Sequence, residues 1–397
     1  MKILFVSAVL PYPLNSGGQV RMYNLLTRLS RDHEIHLFSF IREPSENNLL
    51  SHLGFCKSVT TVMRGTAWQP KYILRSVVGT HSFLYTTYEF TNMQHILRQN
   101  LTRNSYDLIH IEPGYVYGAL PQTTIPFVVS EHNIEHMVYQ KYATQQPLPS
   151  SRWLLSFDVG KMKAEEEMVW KRASNVTTVS EDDAAYIQNT SKKTQVTLVP
   201  NGVDTSYYAY KPKKSVSGNA PVFLYVGTFK WMQNVDAVSF LLTKIWSLIL
   251  QAKPGARLRI IGSDPPEGLR AMRTPNVTWV PHVDDMRTEY YGADMLIAPI
   301  RIGGGTKYKI LESMACGLPV LTTILGASGF SLGKESVFWI ADTPESFRDV
   351  SRDVFQSKGR LGKVLKARRI VERYYSWDTI AIKLSQAWKQ AYETKNH

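Results

Sequence analysis

Short apolar, β-rich runs alternate along the chain with stretches of helical pattern, an order that predicts parallel α/β units. In the first half the runs are Ile3–Val6, Ile35–Phe40, Leu108–Ile111, Phe127–Ser130, Val176–Val179 and Val196–Val199. Most are unbroken apolar blocks, as expected of strands buried on both faces. Helical stretches such as Val20–Leu29 and Leu154–Arg172 lie between them. In the second of these, the run Glu165-Glu166-Glu167 reads as a solvated helix face.

The second half begins afresh. Strands are predicted at Phe223–Val226, Leu258–Ile261, Val277–Trp279, Met295–Ala298 and Val320–Thr322, with helices at Val235–Leu250 and Lys307–Cys316. Between the halves, Lys211–Pro221 is rich in Lys, Ser, Gly and Pro, which is linker composition. Two doubly wound parallel sheets are expected, with a cleft at the carboxyl ends of their strands. The Phe55–Tyr88 region is less regular. There Trp68, Tyr72, Ile73, Leu74, Val77 and Val78 interleave with Lys71 and Arg75, which suits a basic membrane-facing surface or a partly buried connecting helix.

With 397 residues, 44% of them hydrophobic, the chain has apolar material for two ordinary domains. Two cysteines, Cys56 and Cys316, exclude a disulfide framework and a four-cysteine zinc site, and point to a reducing compartment. The amino end lacks the features of a secretory signal. The apolar stretch Val235–Ala252 is interrupted by Asp236 and Lys244 and reads as no membrane span. The excess of 46 basic over 33 acidic residues, +13, suits an anionic partner: a nucleotide, an anionic lipid surface or nucleic acid. The lysines are scattered and no nucleic-acid-binding signature appears, so nucleic acid is not expected.

The strongest local signal is the block Ile302–Val320, which opens on Gly303-Gly304-Gly305-Thr306. Glycines let a backbone approach a ligand closely. Thr306 reads as a helix N-cap and Gly317 as the residue that ends the helix. The helix N-terminus is then an anion site, and Lys307 and Lys309 in its first turn suggest that an anion binds there. Glu312 follows Lys309 on the same face. A second Gly-rich turn, Ser16-Gly17-Gly18, leads into a helix carrying Arg21, which can hold a phosphate or carboxylate. His132 and Glu112 end strands, where α/β enzymes place reactive groups. No metal set is evident: His132 and His136 have helical spacing, but Asn133-Ile134-Glu135 between them is not a zinc motif.

Taken in order, Gly17-Gly18, Val199–Asp204, Val226-Gly227, Ile261-Gly262, the 303–320 block and Tyr375–Asp378 resemble the retaining glycosyltransferases of family 4, which have the GT-B fold. The resemblance implies two Rossmann-like domains: residues 1–205 on the acceptor side and 221–375 binding the nucleotide sugar, with a linker at 206–220 and a helix at 376–397 returning to the first domain. It further implies an apolar stripe of Trp377, Trp388 and Tyr392 for that return, and transfer of a sugar, with retention, from a nucleotide sugar such as a UDP- or GDP-hexose to a saccharide or lipid-linked acceptor. No metal or cofactor is expected.

In the family's Glu-x7-Glu motif the second Glu corresponds to Glu312, implied to bind ribose. The first falls on Gly304, as in a subgroup with a Gly-Gly-Gly-Thr-Lys loop. His132, Lys307 and Lys309 are the implied catalytic residues. Gly17, Gly18, Arg21, Lys230, Gly262, Ser263, Gly303, Gly304, Gly305, Thr306 and Glu312 are the implied nucleotide-sugar-binding residues. The expected place is the cytoplasm, in part peripherally at the inner face of the membrane, bound through Trp68, Lys71, Tyr72 and Arg75. A GT-B epimerase or hydrolase of nucleotide sugars is the alternative.

Overall fold

The chain forms two parallel-sheet units in a computed structural model that describes residues 1–88, 91–144, 146, 148–213, 220–303, 305–330 and 336–396. Met1–Val199 with Ile380–His397 make one compact unit, and Pro200–Thr379 make the other.

The first unit holds strands β1 (Lys2–Ser7), β2 (Glu34–Ile41), β3 (Ser58–Met63), β4 (Leu108–Glu112), β5 (Phe127–Glu131), β6 (Asn175–Thr178) and β7 (Val196–Leu198). They form one parallel sheet in the order β3-β2-β1-β4-β5-β6-β7. Leu4, Val6, Phe38, Phe40, Ile109, Ile111 and Val129 fill its core. The strand β3, Ser58-Val-Thr-Thr-Val-Met63, escapes the apolar-run pattern because it is an edge strand, paired with β2 alone, and so carries polar residues.

The second unit holds β8 (Val222–Val226), β9 (Arg257–Ile261), β10 (Val277–Val280), β11 (Met295–Ala298), β12 (Val320–Thr322) and β13 (Trp339–Ile340), in the order β10-β9-β8-β11-β12-β13. The apolar blocks are unbroken because both faces are covered. Leu224 and Leu296 pack toward Ile310 and Leu311, while Phe223, Tyr225 and Ile297 pack toward Leu241, Ile245 and Trp246. The latter residues belong to the helical segment Met232–Ala252, which tightens through a π-turn at Leu241–Ile245. By length and composition this segment would be apolar enough to cross a membrane. Here Ala237, Val238, Leu241, Leu242, Ile245, Trp246 and Ile249 of this segment are core.

Residues 206–213, expected to be linker, are held by the second unit. Lys211 N–H donates to Cys316 O (3.0 Å), and Lys213 Nζ pairs with Asp294 (2.8 Å). Arg368 donates to the carbonyls of Thr205 and Tyr208 (2.9 and 2.7 Å). Residues 214–219 lie outside the described residues.

The last helix, Trp377–Asn396, buries Ile380, Leu384, Ala387 and Trp388 in the first unit. Trp377 belongs instead to the second unit, where it packs against Gly202 and Tyr308, and Tyr392 is exposed. The buried stripe of this helix is therefore Ile380-Leu384-Trp388.

The Glu165–Glu167 run is no solvated face. Glu165 accepts hydrogen bonds from the N–H and hydroxyl of Ser82 (3.2 and 2.5 Å) and Glu166 from the backbone N–H groups of Glu135 and His136 (2.7 and 3.1 Å), so both carboxylates are buried.

Candidate active site

Each unit gathers its candidate residues at the carboxyl ends of its strands. In the second unit the loops after β8 and β9 lie against one another. Gly227 N–H donates to Ile261 O (2.9 Å) and Phe229 N–H to Ser263 O (3.0 Å). A Cβ on Gly262 would come within 1.9 Å of Gly227 O, so only glycine permits this approach. Gly227 in turn backs onto Asn234, whose amide donates to Thr228 O (2.8 Å). Lys230 stands outside this arrangement, with its side chain 72% exposed and 3.8 Å from Asp264.

The triplet loop uses left-handed backbone at Gly303 (φ +99°) and Gly305 (φ +68°). Gly304 lies outside the described residues. Thr306 is buried but does not cap the helix. That helix runs Tyr308–Cys316 with Lys307 at the N-cap and no side-chain cap. The Thr306 hydroxyl accepts from Asn201 N–H (3.2 Å), and Tyr308 OH donates to the Asn201 side chain (3.2 Å), so Thr306 ties the loop to the segment after β7. Gly317 ends the helix as expected, at φ +81°.

Lys307 Nζ donates to Leu325 O (3.1 Å). Lys309 points the other way, donating to Asn234 Oδ1 (2.8 Å) and Tyr225 OH (3.2 Å) and lying 4.3 Å from the centre of the Tyr225 ring. Burial lowers its pKa to about 7, against the upward pull of Glu312 and with a further push from Lys307. Glu312 is not the partner of Lys309. One of its oxygens takes the Tyr290 hydroxyl at 2.5 Å. Burial raises its carboxyl, offset in part by hydrogen bonds from Tyr290 and Tyr208 and by the charge of Lys309. Asn234, Tyr225 and Tyr290 escape sequence reading, because their links to Lys309 and Glu312 exist only after folding.

In the first unit, Ser16 caps the helix Gly17–Leu29, accepting from Gln19 N–H. A Cβ on Gly18 would stand 3.2–3.3 Å from the His132 ring, so the bare glycine lets that ring lie at the helix N-terminus. Arg21 is 1% exposed, with Nε 3.5 Å from Glu112 Oε1. That placement makes it the counter-charge of a buried carboxylate, not a surface group for a phosphate.

Glu112 is the hub. His132 Nε2 lies 2.6 Å from Glu112 Oε1, and His110 Nε2 lies 3.2 Å from Oε2. The Trp388 indole N–H donates to His110 Nδ1 (2.9 Å). An indole can only donate, so Nδ1 is the acceptor and His110 carries its proton on Nε2, facing the carboxylate. Burial lowers the His110 pKa and keeps the ring neutral. Burial alone would raise the Glu112 carboxyl, but the hydrogen bonds from His110 and His132 and the charges of His132 and Arg21 hold it far below the usual carboxylate range. With Nε2 committed to Glu112, the partly exposed His132 turns Nδ1 toward Gly18.

Among the described residues no three His, Cys, Asp or Glu side chains gather as a metal-holding group. His132 and His136 go separate ways, to Glu112 and Glu166.

Residues 15–207 match the family model described as Glycosyltransferase Family 4, and residues 220–356 match Glycosyl transferases group 1. The chain belongs to the glycosyltransferases. Sucrose-phosphate synthase from Thermosynechococcus elongatus superposes with a TM-score of 0.72 at 18% identity, covering 99% of this chain and 100% of that one. Anabaena HepE in complex with UDP-glucose superposes at 0.61 and 14% identity, covering 98% and 99%. These likenesses show the fold, which is GT-B. An uncharacterized 44.6 kDa protein in the cps region of Klebsiella pneumoniae is 22% identical over 346 residues, 83% of this chain and 84% of that protein.

Proposed function

We propose that the protein is a retaining, metal-independent glycosyltransferase that moves a hexose from a UDP- or GDP-sugar to an acceptor hydroxyl in polysaccharide or glycolipid synthesis. The observation that carries the donor side is Lys309. It is a desolvated cation in the first turn of a helix, where the dipole disfavours positive charge, and an anion at that N-terminus supplies the missing partner. Anabaena HepE, crystallised with UDP and with UDP-glucose, supports a nucleotide-sugar donor, and the cps-region relative supports a polysaccharide setting.

In the proposed reaction the bond from the sugar C1 to the diphosphate oxygen breaks. The bond from C1 to the acceptor oxygen forms on the same face, and the acceptor proton passes to the departing diphosphate. Charge grows on that diphosphate, so pre-aimed donors act most strongly there. Lys309 and the helix N-terminus meet it, Glu312 accepts from the ribose hydroxyls, and the glycine loops bring backbone close to the donor. His132, fixed by Glu112, hydrogen-bonds the transferred sugar. Incubation with UDP- and GDP-hexoses and saccharide acceptors in EDTA, followed by NMR of the product, tests this. A product with the donor's anomeric configuration is expected. Inversion, or a requirement for added manganese or magnesium, contradicts it.

The pH dependence of binding follows from Lys309. A cation with its pKa near 7 loses charge as pH rises through 7, while a bound diphosphate favours the charged form. UDP affinity should therefore fall between pH 7 and 8.5, approaching about tenfold per unit at the limit. Lys309→Met should flatten the profile. A calorimetric series that is flat for the wild type rejects the assignment.

Membrane contact is also proposed, at the cytoplasmic face, with one correction. Tyr72 is buried and takes no part. Trp68 is 79% exposed, and Leu74 and Val78 are also exposed. Ser76 Oγ donates to Asp158 (2.8 Å), setting the helix Pro70–Val78 beside the helix Pro149–Arg172, where Trp153 is 71% exposed. Lys71, Arg75 and Arg152 add positive charge to this apolar surface. Sedimentation should show salt-sensitive binding to anionic but not neutral vesicles, lost on Lys71→Glu with Arg75→Glu. Equal partitioning onto both vesicles rejects it.

A further inference from the structure

A second buried charge lies in the first unit, at the edge of the sheet away from Glu112. Arg64 directly follows β3, and its backbone N–H continues the ladder to Ile41 O (2.9 Å). Its side chain is folded inward, leaving the residue 6% exposed. Nε and Nη1 are buried and have no hydrogen-bond partner among the described residues. The guanidinium carbon sits 4.7 Å from the centre of the Tyr88 ring, and Tyr88 packs on Phe40 and Tyr115.

A guanidinium always carries its charge and has five donors to satisfy. An aromatic face returns only part of what desolvating an ion costs. Among the described residues the arrangement is therefore incomplete, and an oxyanion is the ligand that completes it. Arg42, exposed at the end of β2, adds to the same positive field around Tyr88, where both arginines offset the upward push of burial on the phenol. The carboxyl ends of parallel strands are where such sheets bind ligands.

We propose that Arg64, backed by Arg42, receives an anionic group of the acceptor saccharide, a carboxylate or a phosphate, so that the protein glycosylates an acidic acceptor. This rests on the glycosyltransferase reading above.

The test uses the full chain with 15N-labelled arginine, the Arg64 Nε–H signal being assigned by its loss in Arg64→Met. D-glucuronate, D-glucose 6-phosphate and D-glucose are titrated in turn, with and without UDP. A saturable shift of that signal with glucuronate or glucose 6-phosphate, and none with glucose, is expected. The stronger of the two identifies carboxylate or phosphate. Arg64→Met should melt higher than the ligand-free wild type, because it removes a desolvated charge, and should lose the response to the anions. No saturable shift with either anion, or a lower melting temperature in Arg64→Met without any anion response, overturns the proposal and makes Arg64 structural. Failure to bind UDP while the Arg64 response persists instead rejects the nucleotide-sugar reading and leaves the anion site standing.

Discussion

Lys309→Ala is expected to lower kcat by about 10²–10³-fold, the 2.7–4 kcal/mol that removing one pre-aimed donor costs where charge develops. The argument is geometric first. Nζ is anchored by Asn234 at 2.8 Å and Tyr225 at 3.2 Å, so the ammonium is held in place before any ligand arrives. It is also desolvated, so its attraction for a growing negative charge is weakly screened. Lys307→Ala serves as the comparison. Its Nζ donates to Leu325 O, and its loss should be smaller. Steady-state kinetics with a saturating donor check both. A loss of less than about twofold for Lys309→Ala, near 0.4 kcal/mol, removes the diphosphate role.

Glu112→Ala should destabilise the first unit by about 3–5 kcal/mol, because it strips the partner from a buried charge. The buried Arg21 guanidinium loses the Glu112 carboxylate beside it, and the N–H groups of His110 and His132 lose their acceptor. The acid dependence carries a second signature. The folded carboxyl lies below its unfolded value of 4.5, so its contribution is complete above that value and drains as pH falls below it. Urea melts at pH 7 and pH 4 should show a steeper acid loss for the wild type than for Glu112→Ala. A loss under about 1 kcal/mol with parallel acid slopes contradicts the hub assignment.

Both faces of the two sheets were legible in the chain because parallel strands covered on each side read as unbroken apolar blocks. The exceptions have physical causes. Ser58–Met63 is a half-covered edge strand, and Trp339–Ile340 is too short for a pattern. Glycine loops announced themselves at 17–18, 262 and 303–305: Gly18 and Gly262 admit a close neighbour, and Gly303 and Gly305 take left-handed backbone. What was not legible is long-range pairing. Nothing near Arg21 in the chain marks it as the partner of Glu112, 91 residues on, and nothing near His110 marks Trp388 as the donor that sets its tautomer (|i−j| = 278). Glu165 and Glu166 looked like surface because their acceptor duties toward Ser82, Glu135 and His136 are remote in the chain as well.

The central claim, that the second unit holds a nucleoside diphosphate at the amino end of the Tyr308–Cys316 helix, is tested most directly by calorimetric titration of UDP and GDP. The wild type is compared with Lys309→Ala and Glu312→Ala. One of the two nucleotides should bind with a 1:1 ratio to the wild type, with weaker affinity in each variant while the melting curves stay cooperative. Absence of binding by both nucleotides, or affinities unchanged in both folded variants, would contradict it.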